Sequence, residues 1–191
     1  MENEILDSEL GRQQGPEGEV QMAGFWTRVW AALIDGLVMM PLALLGMYNM
    51  LMGKVFLLAV LQSLAYVAYK PLMEWKYGAT LGKMAVKIKV VNYDYQPISL
   101  DQSYLRFIFY FISTAISVLF TFQLFQQPEF METDDFMKLA TFQAEFESPL
   151  QDFSSIASFI VMVSAIFVLF DDRRQALHDK IAKTFCIRVK K

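Results

Sequence analysis

Four long apolar stretches, separated by segments that are short, basic or acidic, organise this chain. They cover residues 29–52, 55–73, 107–125 and 153–170. A helix needs about 20 mostly apolar residues to cross the hydrocarbon core of a bilayer, and each stretch comes close. The first is interrupted only by Asp35 and softened by Gly36, Pro41 and Gly46. Gly53 and Lys54 alone separate it from the second, a link so tight that it predicts a helical hairpin. The second holds Gln62, Ser63 and, near its end, Lys70, whose stem can snorkel to the interface. The third carries no charge. The pattern predicts an all-α membrane protein of four transmembrane helices.

Shorter periods fill the gaps. Val86, Ile88 and Val90 alternate with Lys87 and Lys89, the period of a half-buried strand. Asn92 to Pro97 is turn-rich, Ile98–Leu100 offers a return strand, and Thr184–Val189 alternates in the same way. A small cytoplasmic β-hairpin or sheet follows from these pieces, with an interfacial amphipathic helix as the competing reading of the first. In residues 126–152, Phe130, Phe136, Leu139, Phe142 and Phe146 partly fit an amphipathic helix lying on the outer membrane face. Tyr110, Ser113, Thr114, Ser117 and Thr121 share one face of the third stretch, and Ser154, Ser158 and Ala165 one face of the fourth. Such stripes let helices approach in lipid, and packing is the expected role.

Charge sets the orientation. The segment from Lys70, at the end of the second stretch, to Arg106 holds six basic residues, Lys70, Lys76, Lys83, Lys87, Lys89 and Arg106, and seven follow Phe170. The loop 126–152 has Lys138 alone against seven acids. Basic loops stay cytoplasmic, so both termini and the middle loop are expected inside and the acidic loop outside. Tyr66, Tyr69, Trp75 and Tyr77 fit an interfacial aromatic belt. The net charge of −3 adds little to this, whereas 55% hydrophobic residues and a mean hydropathy of +0.33 agree with lipid as solvent. The first 23 residues hold six acids and one base, Arg12, without the apolar core of a signal peptide. Residues 1–22 are expected to be a flexible acidic tail and 23–191 a single transmembrane domain.

The candidate chemistry is sparse. One cysteine, Cys186, excludes an intramolecular disulfide, and one histidine, His178, argues against a His-based metal site. No cofactor, metal, catalytic residue or nucleic-acid surface is expected. The stretch GATLGK falls short of a phosphate loop: Gly78 and Gly82 enclose three residues rather than four, and Met84 follows Lys83. A turn leaving the membrane, with Lys83 at the headgroups, is the better reading. His178–Asp179 matches the pair in HD-type hydrolases, but no second histidine supplies the further ligands.

Asp35 is the exception to the apolar pattern. A carboxylate at the centre of a span costs roughly 2.5–3.5 kcal/mol on insertion. Arg28 precedes it by seven residues, on the same helical face but about 10 Å away along the axis. Each therefore needs partners elsewhere, and Arg106 and the run DDRRQALHDK are the candidates. The group can be a buried network that fixes helix register or a proton or ion site at Asp35.

Three stretches, FWTRVWAALIDGLV, GATLGKMAVKIKVV and RRQALHDKIAKTFCIRV, in this order and approximate spacing, resemble the RDD membrane proteins. The resemblance implies Arg28, Asp35 and Asp179 as the naming triad, with Gly82, Lys83, Arg106 and His178 as further motif positions. It implies an integral protein of a bacterial cytoplasmic membrane, with the bilayer and further copies or other membrane proteins as partners. Of two roles it leaves open, movement of ions or small solutes is the leading expectation and a non-catalytic scaffold or regulator of a membrane complex the alternative. An Arg28–Asp179 bridge closing the tail over the first span is the expected clasp.

Overall fold

The computed structural model describes residues 14–15 and 18–189, the side chains of 14, 15, 18, 19, 154, 157, 158 and 161 excepted. The acidic tail expected over 1–22 lies for the most part outside the described residues, as do the side chains of Ser154 and Ser158. Two compact units make up the described chain. One draws on the described residues up to 38, on 70–107 and on 162–189, the other on 39–69 and 108–161.

Before the first long helix, strand β1 (Gln14–Gly15) pairs antiparallel with β2 (Gly18–Glu19). Helix α1 spans Phe25–Tyr48 and runs on as a π-helical turn, Asn49–Gly53. Its least exposed positions, Arg28, Ala31, Asp35, Met39, Leu42, Gly46 and Asn49, recur every three or four residues, so the charged pair lies on the inward stripe. The hairpin link is closed by Asn49, whose amide donates to the Val55 carbonyl at 3.0 Å and accepts from the Val55 N–H at 3.1 Å. Lys54 takes a left-handed conformation (φ 50°) there, and a Cβ at Gly53 would lie 2.6 Å from Asn49 Oδ1. Helix α2 then covers Phe56–Tyr77, four residues past the expected end of the second stretch.

Helix α3 (Leu81–Ala85) and strand β3 (Ile88–Asn92) follow. The expected return strand at Ile98–Leu100 does not form. Ser99 Oγ accepts from the Gln102 N–H at 3.2 Å and Gln102 Oε1 accepts from the Ser99 N–H at 3.1 Å. This reciprocal capping box starts helix α4 (Leu100–Arg106) instead. The partner of β3 is β4 (Thr184–Arg188), antiparallel, with Val90 opposite Cys186. The strand reading holds over the interfacial helix, but the strand begins at Ile88 rather than Val86, because Val86 caps α3 and Lys87 turns the chain at φ 56°. Residues 21–23 border β4 on its other edge, through Ala23 N–H to the Cys186 carbonyl and Arg188 N–H to the Gln21 carbonyl, both 2.8 Å. Ala23, Ala31, Ile88 and Cys186 form the apolar core here.

Helix α5 (Ile108–Phe125) exposes Ile108, Ile112, Ala115, Leu119 and Phe122, while its polar stripe from Tyr110 to Thr121 lies on the half-buried face. The acidic loop folds into α6 (Pro128–Glu132) and α7 (Phe136–Glu145), and Phe130 and Leu139 bury against Leu124. Helix α8 (Pro149–Ile166) ends in a 3₁₀ turn, Phe167–Leu169, and α9 (Leu177–Ile181) precedes β4. Among the described residues, three segments, Phe25–Gly53, Phe56–Tyr77 and Ile108–Phe125, are long and apolar enough to cross a membrane. The protein is thus mostly helical, with three candidate spans and a small two-stranded β3–β4 sheet.

Candidate functional site

The first unit holds a cluster of five charged side chains. Asp179, the third residue of α9, is fully buried. Its Oδ2 accepts from Arg28 Nη1 at 2.5 Å and from the Ala176 N–H at 3.1 Å; its Oδ1 accepts from Arg106 Nη1 at 2.5 Å. The expected Arg28–Asp179 bridge is present, but Asp179 shares itself between two arginines. Arg106, the last residue of α4 and 2% exposed, also donates from Nε to Glu74 Oε2 at 2.8 Å and from Nη1 to Thr184 Oγ1. Glu74 in turn accepts from Lys83 Nζ. The chain of charges thus runs Arg28, Asp179, Arg106, Glu74, Lys83 and joins α1, α9, α4, α2 and α3. A buried carboxylate is tolerated only when its lone pairs are filled, and here both are.

Glu74 does not stand out in sequence, because it sits beside Trp75 and Lys76 at the end of an apolar run. Its position gives it away: Ser63, Val67, Pro71 and Glu74 step by four, four and three along α2, the inward stripe of that helix. Lys83, expected at the headgroups, pairs its ammonium with Glu74 and keeps its side chain 17% exposed.

Asp35 is held by the loop after α2. Its Oδ2 accepts from Thr80 Oγ1 at 2.7 Å and its Oδ1 from the Gly82 N–H at 2.8 Å. Thr80 is also the N-cap of α3, accepting from the Lys83 N–H. Asp35 therefore finds neutral donors in the loop after α2. Gly82 is required by proximity: a Cβ there would collide with the Ala31 carbonyl and lie 2.9 Å from Asp35 Cγ. The GATLGK stretch is thus a docking turn on α1, with Gly78 at φ 72°.

Arg28 makes three separate bonds, adding Nε to the Ala23 carbonyl at 3.2 Å and Nη2 to the Arg174 carbonyl at 2.8 Å. His178 is half-buried. Ser164 Oγ accepts from the His178 backbone N–H at 3.3 Å and lies 3.0 Å from Nδ1. We assign the Ser164 hydroxyl as donor to Nδ1, which puts the imidazole proton on Nε2, 3.5 Å from Asp179 Oδ1. Burial, with help from the cations Arg106, Arg28 and Lys83, pushes the imidazole down to about 4 against the opposing pull of Asp179. Burial alone would raise the Asp179 carboxyl, but Arg28 and Arg106 outweigh it and hold it well below the usual carboxylate range. Burial opposes the Arg106 charge as well, yet Glu74 and Asp179 raise its pKa further.

Among the described residues, no group of three His, Cys, Asp or Glu side chains is placed to hold a metal ion. The arrangement can pair charges, fix helix ends and anchor the sheet. No protein of curated function and no solved structure matches the chain. A model of the RDD family matches residues 22–183, most of the sequence. With its apolar spanning helices and its Arg28–Asp179 bridge, the chain belongs to the RDD family and is an integral membrane protein.

Proposed function

We propose that this protein is a non-catalytic membrane scaffold or regulator whose charge cluster holds the β3–β4 sheet in place for partner binding. One observation carries the reading. Three acids, Asp35, Glu74 and Asp179, are 4%, 0% and 0% exposed and accept hydrogen bonds from donors of the same chain. A carboxylate that couples ion movement needs access to water and a competing cation, whereas a clasp needs saturation. Helix α8 would supply a fourth span, and the basic middle loop and tail favour both termini on the cytoplasmic side. The partners would be further copies or other membrane proteins.

The test is ion-coupled proton flux in proteoliposomes, wild type against Asp35→Asn at matched reconstitution. A scaffold gives no flux in either protein across a range of cations. Flux in wild type that Asp35→Asn abolishes would overturn the scaffold and make Asp35 a coupling residue.

A further inference from the structure

A crevice of about 170 Å³ opens beside the charge cluster. Arg28, Lys83 and His178 line it together with Val29, Ala32 and Val168. These three polar side chains are the members of the site that retain exposure, 15%, 17% and 25%, while both carboxylates of the cluster are sealed. The cluster presents its cationic side here and hides its acids. Within the ion-paired set three cations face two carboxylates; the third acid, Asp35, is turned onto Thr80 and Gly82 and does not line the crevice.

Donors remain for a ligand. Among the described residues Arg28 engages three of its five N–H groups, and Lys83 one of its three. His178 contributes a neutral ring edge, its two nitrogens facing Ser164 and Asp179. The remaining wall is apolar. Arg28 is the fourth residue of α1, a helix long and apolar enough to cross a membrane, so a lipid headgroup at the start of that span would meet the crevice.

We propose that this crevice binds an anionic phospholipid, its phosphate on Arg28 and Lys83 and its first chain carbons against Val29, Ala32 and Val168. A zwitterionic lipid brings its own cation to the same place and is disfavoured. A free phosphate shares the charge chemistry but gains nothing from the apolar wall. The inference stands on the membrane character of the protein and not on the scaffold reading.

The test is native mass spectrometry of the full chain released from detergent, titrated with dioleoylphosphatidylglycerol or dioleoylphosphatidylcholine. With about 1 kcal/mol from each of two cations, the anionic lipid should be retained about thirtyfold more tightly. Lys83→Gln should weaken it about fivefold. Ala32→Phe, which fills the apolar wall without touching a charge, should abolish the preference while Cys186 stays protected from a maleimide. Inorganic phosphate should not displace the bound lipid. Equal retention of the two lipids in wild type overturns the proposal without need of any variant. So does undiminished binding by Ala32→Phe, and displacement by inorganic phosphate would replace the lipid with a free anion.

Discussion

Asp179→Asn isolates the charge cluster with almost no change of shape. The carboxylate is fully buried and holds two guanidinium groups, Arg28 and Arg106, each at 2.5 Å. An amide in its place keeps one acceptor oxygen and turns an NH₂ toward a cation. Breaking a buried pair by removing one partner costs about 3–5 kcal/mol, because the remaining charge stays desolvated. The loss falls on the joint between α9, α4 and β4, where Thr184 hydrogen-bonds to the Asp179 carbonyl and to Arg106. Two residues further along β4 lies Cys186, 1% exposed and the sole cysteine of the chain. Its reaction with a water-soluble maleimide therefore reports opening of the sheet. At 1.4 kcal/mol per decade, the labelling rate should rise by roughly two to three orders of magnitude, up to the rate of a free thiol. Asp172→Asn, on an exposed residue of the same tail, should leave the rate within about twofold of wild type. If Asp179→Asn labels Cys186 within about threefold of the wild-type rate, the cluster does not hold the sheet and the clasp is wrong.

The same readout serves three further perturbations. Gly82→Ala should open the sheet by about 1–3 kcal/mol or more, since backbone lies in the way, whereas Gly36→Ala, with nothing within 4 Å, should gain about 0.5–1 kcal/mol. Equal effects of the two on Cys186 labelling would contradict the close approach of the loop to α1. Arg28→Lys should raise labelling about tenfold despite keeping its charge, because one ammonium cannot reach Ala23, Arg174 and Asp179 together; a wild-type rate would mean that charge alone suffices. His178 has a folded pKa of about 4 against 6.5, so its contribution is complete above pH 6.5 and is lost as the pH falls toward 4, where only the unfolded chain takes up the proton. Labelling, measured relative to a cysteine peptide, should rise by up to about tenfold per unit over that window and lose the slope in His178→Gln. Asp179 stays ionised throughout, its carboxyl lying below the window.

How much of this the sequence discloses depends on the kind of partner each residue takes. The spans are legible from apolar run length, and the β3–β4 sheet from period-two alternation at both pieces. The Arg28–Asp179 bridge is legible because opposite charges in a membrane protein have few alternatives. Asp35 misleads for a related reason. Matching charges points it at Arg106 or the tail, but a carboxylate is equally served by a hydroxyl and a backbone N–H, and Thr80 and Gly82 carry no charge to advertise them. Glu74 hides at the end of a run whose ending is drawn four residues early, although the 3–4 spacing of Ser63, Val67 and Pro71 leads to it. At Ile98–Leu100 apolar character suggests a strand, and the S-x-x-Q capping box decides for a helix.

The contacts of the cluster are also ordered in time. Arg28 and Asp179 are 151 residues apart and Arg106 and Asp179 are 73 apart, while β3 waits for a strand that begins at Thr184. A ribosome therefore delivers the first arginine, the glutamate and the second arginine long before the carboxylate that joins them. Until then Arg28 stands beside lipid without its acid, and β3 exposes an unpaired edge. Residues 179–188 act as the closing stitch, and a nascent chain stopped short of them can pair Arg106 and Lys83 with Glu74 but leaves Arg28 without its acid and β3 without its strand. Such an intermediate exposes an unpaired strand edge, the feature that makes incomplete folds prone to misassembly.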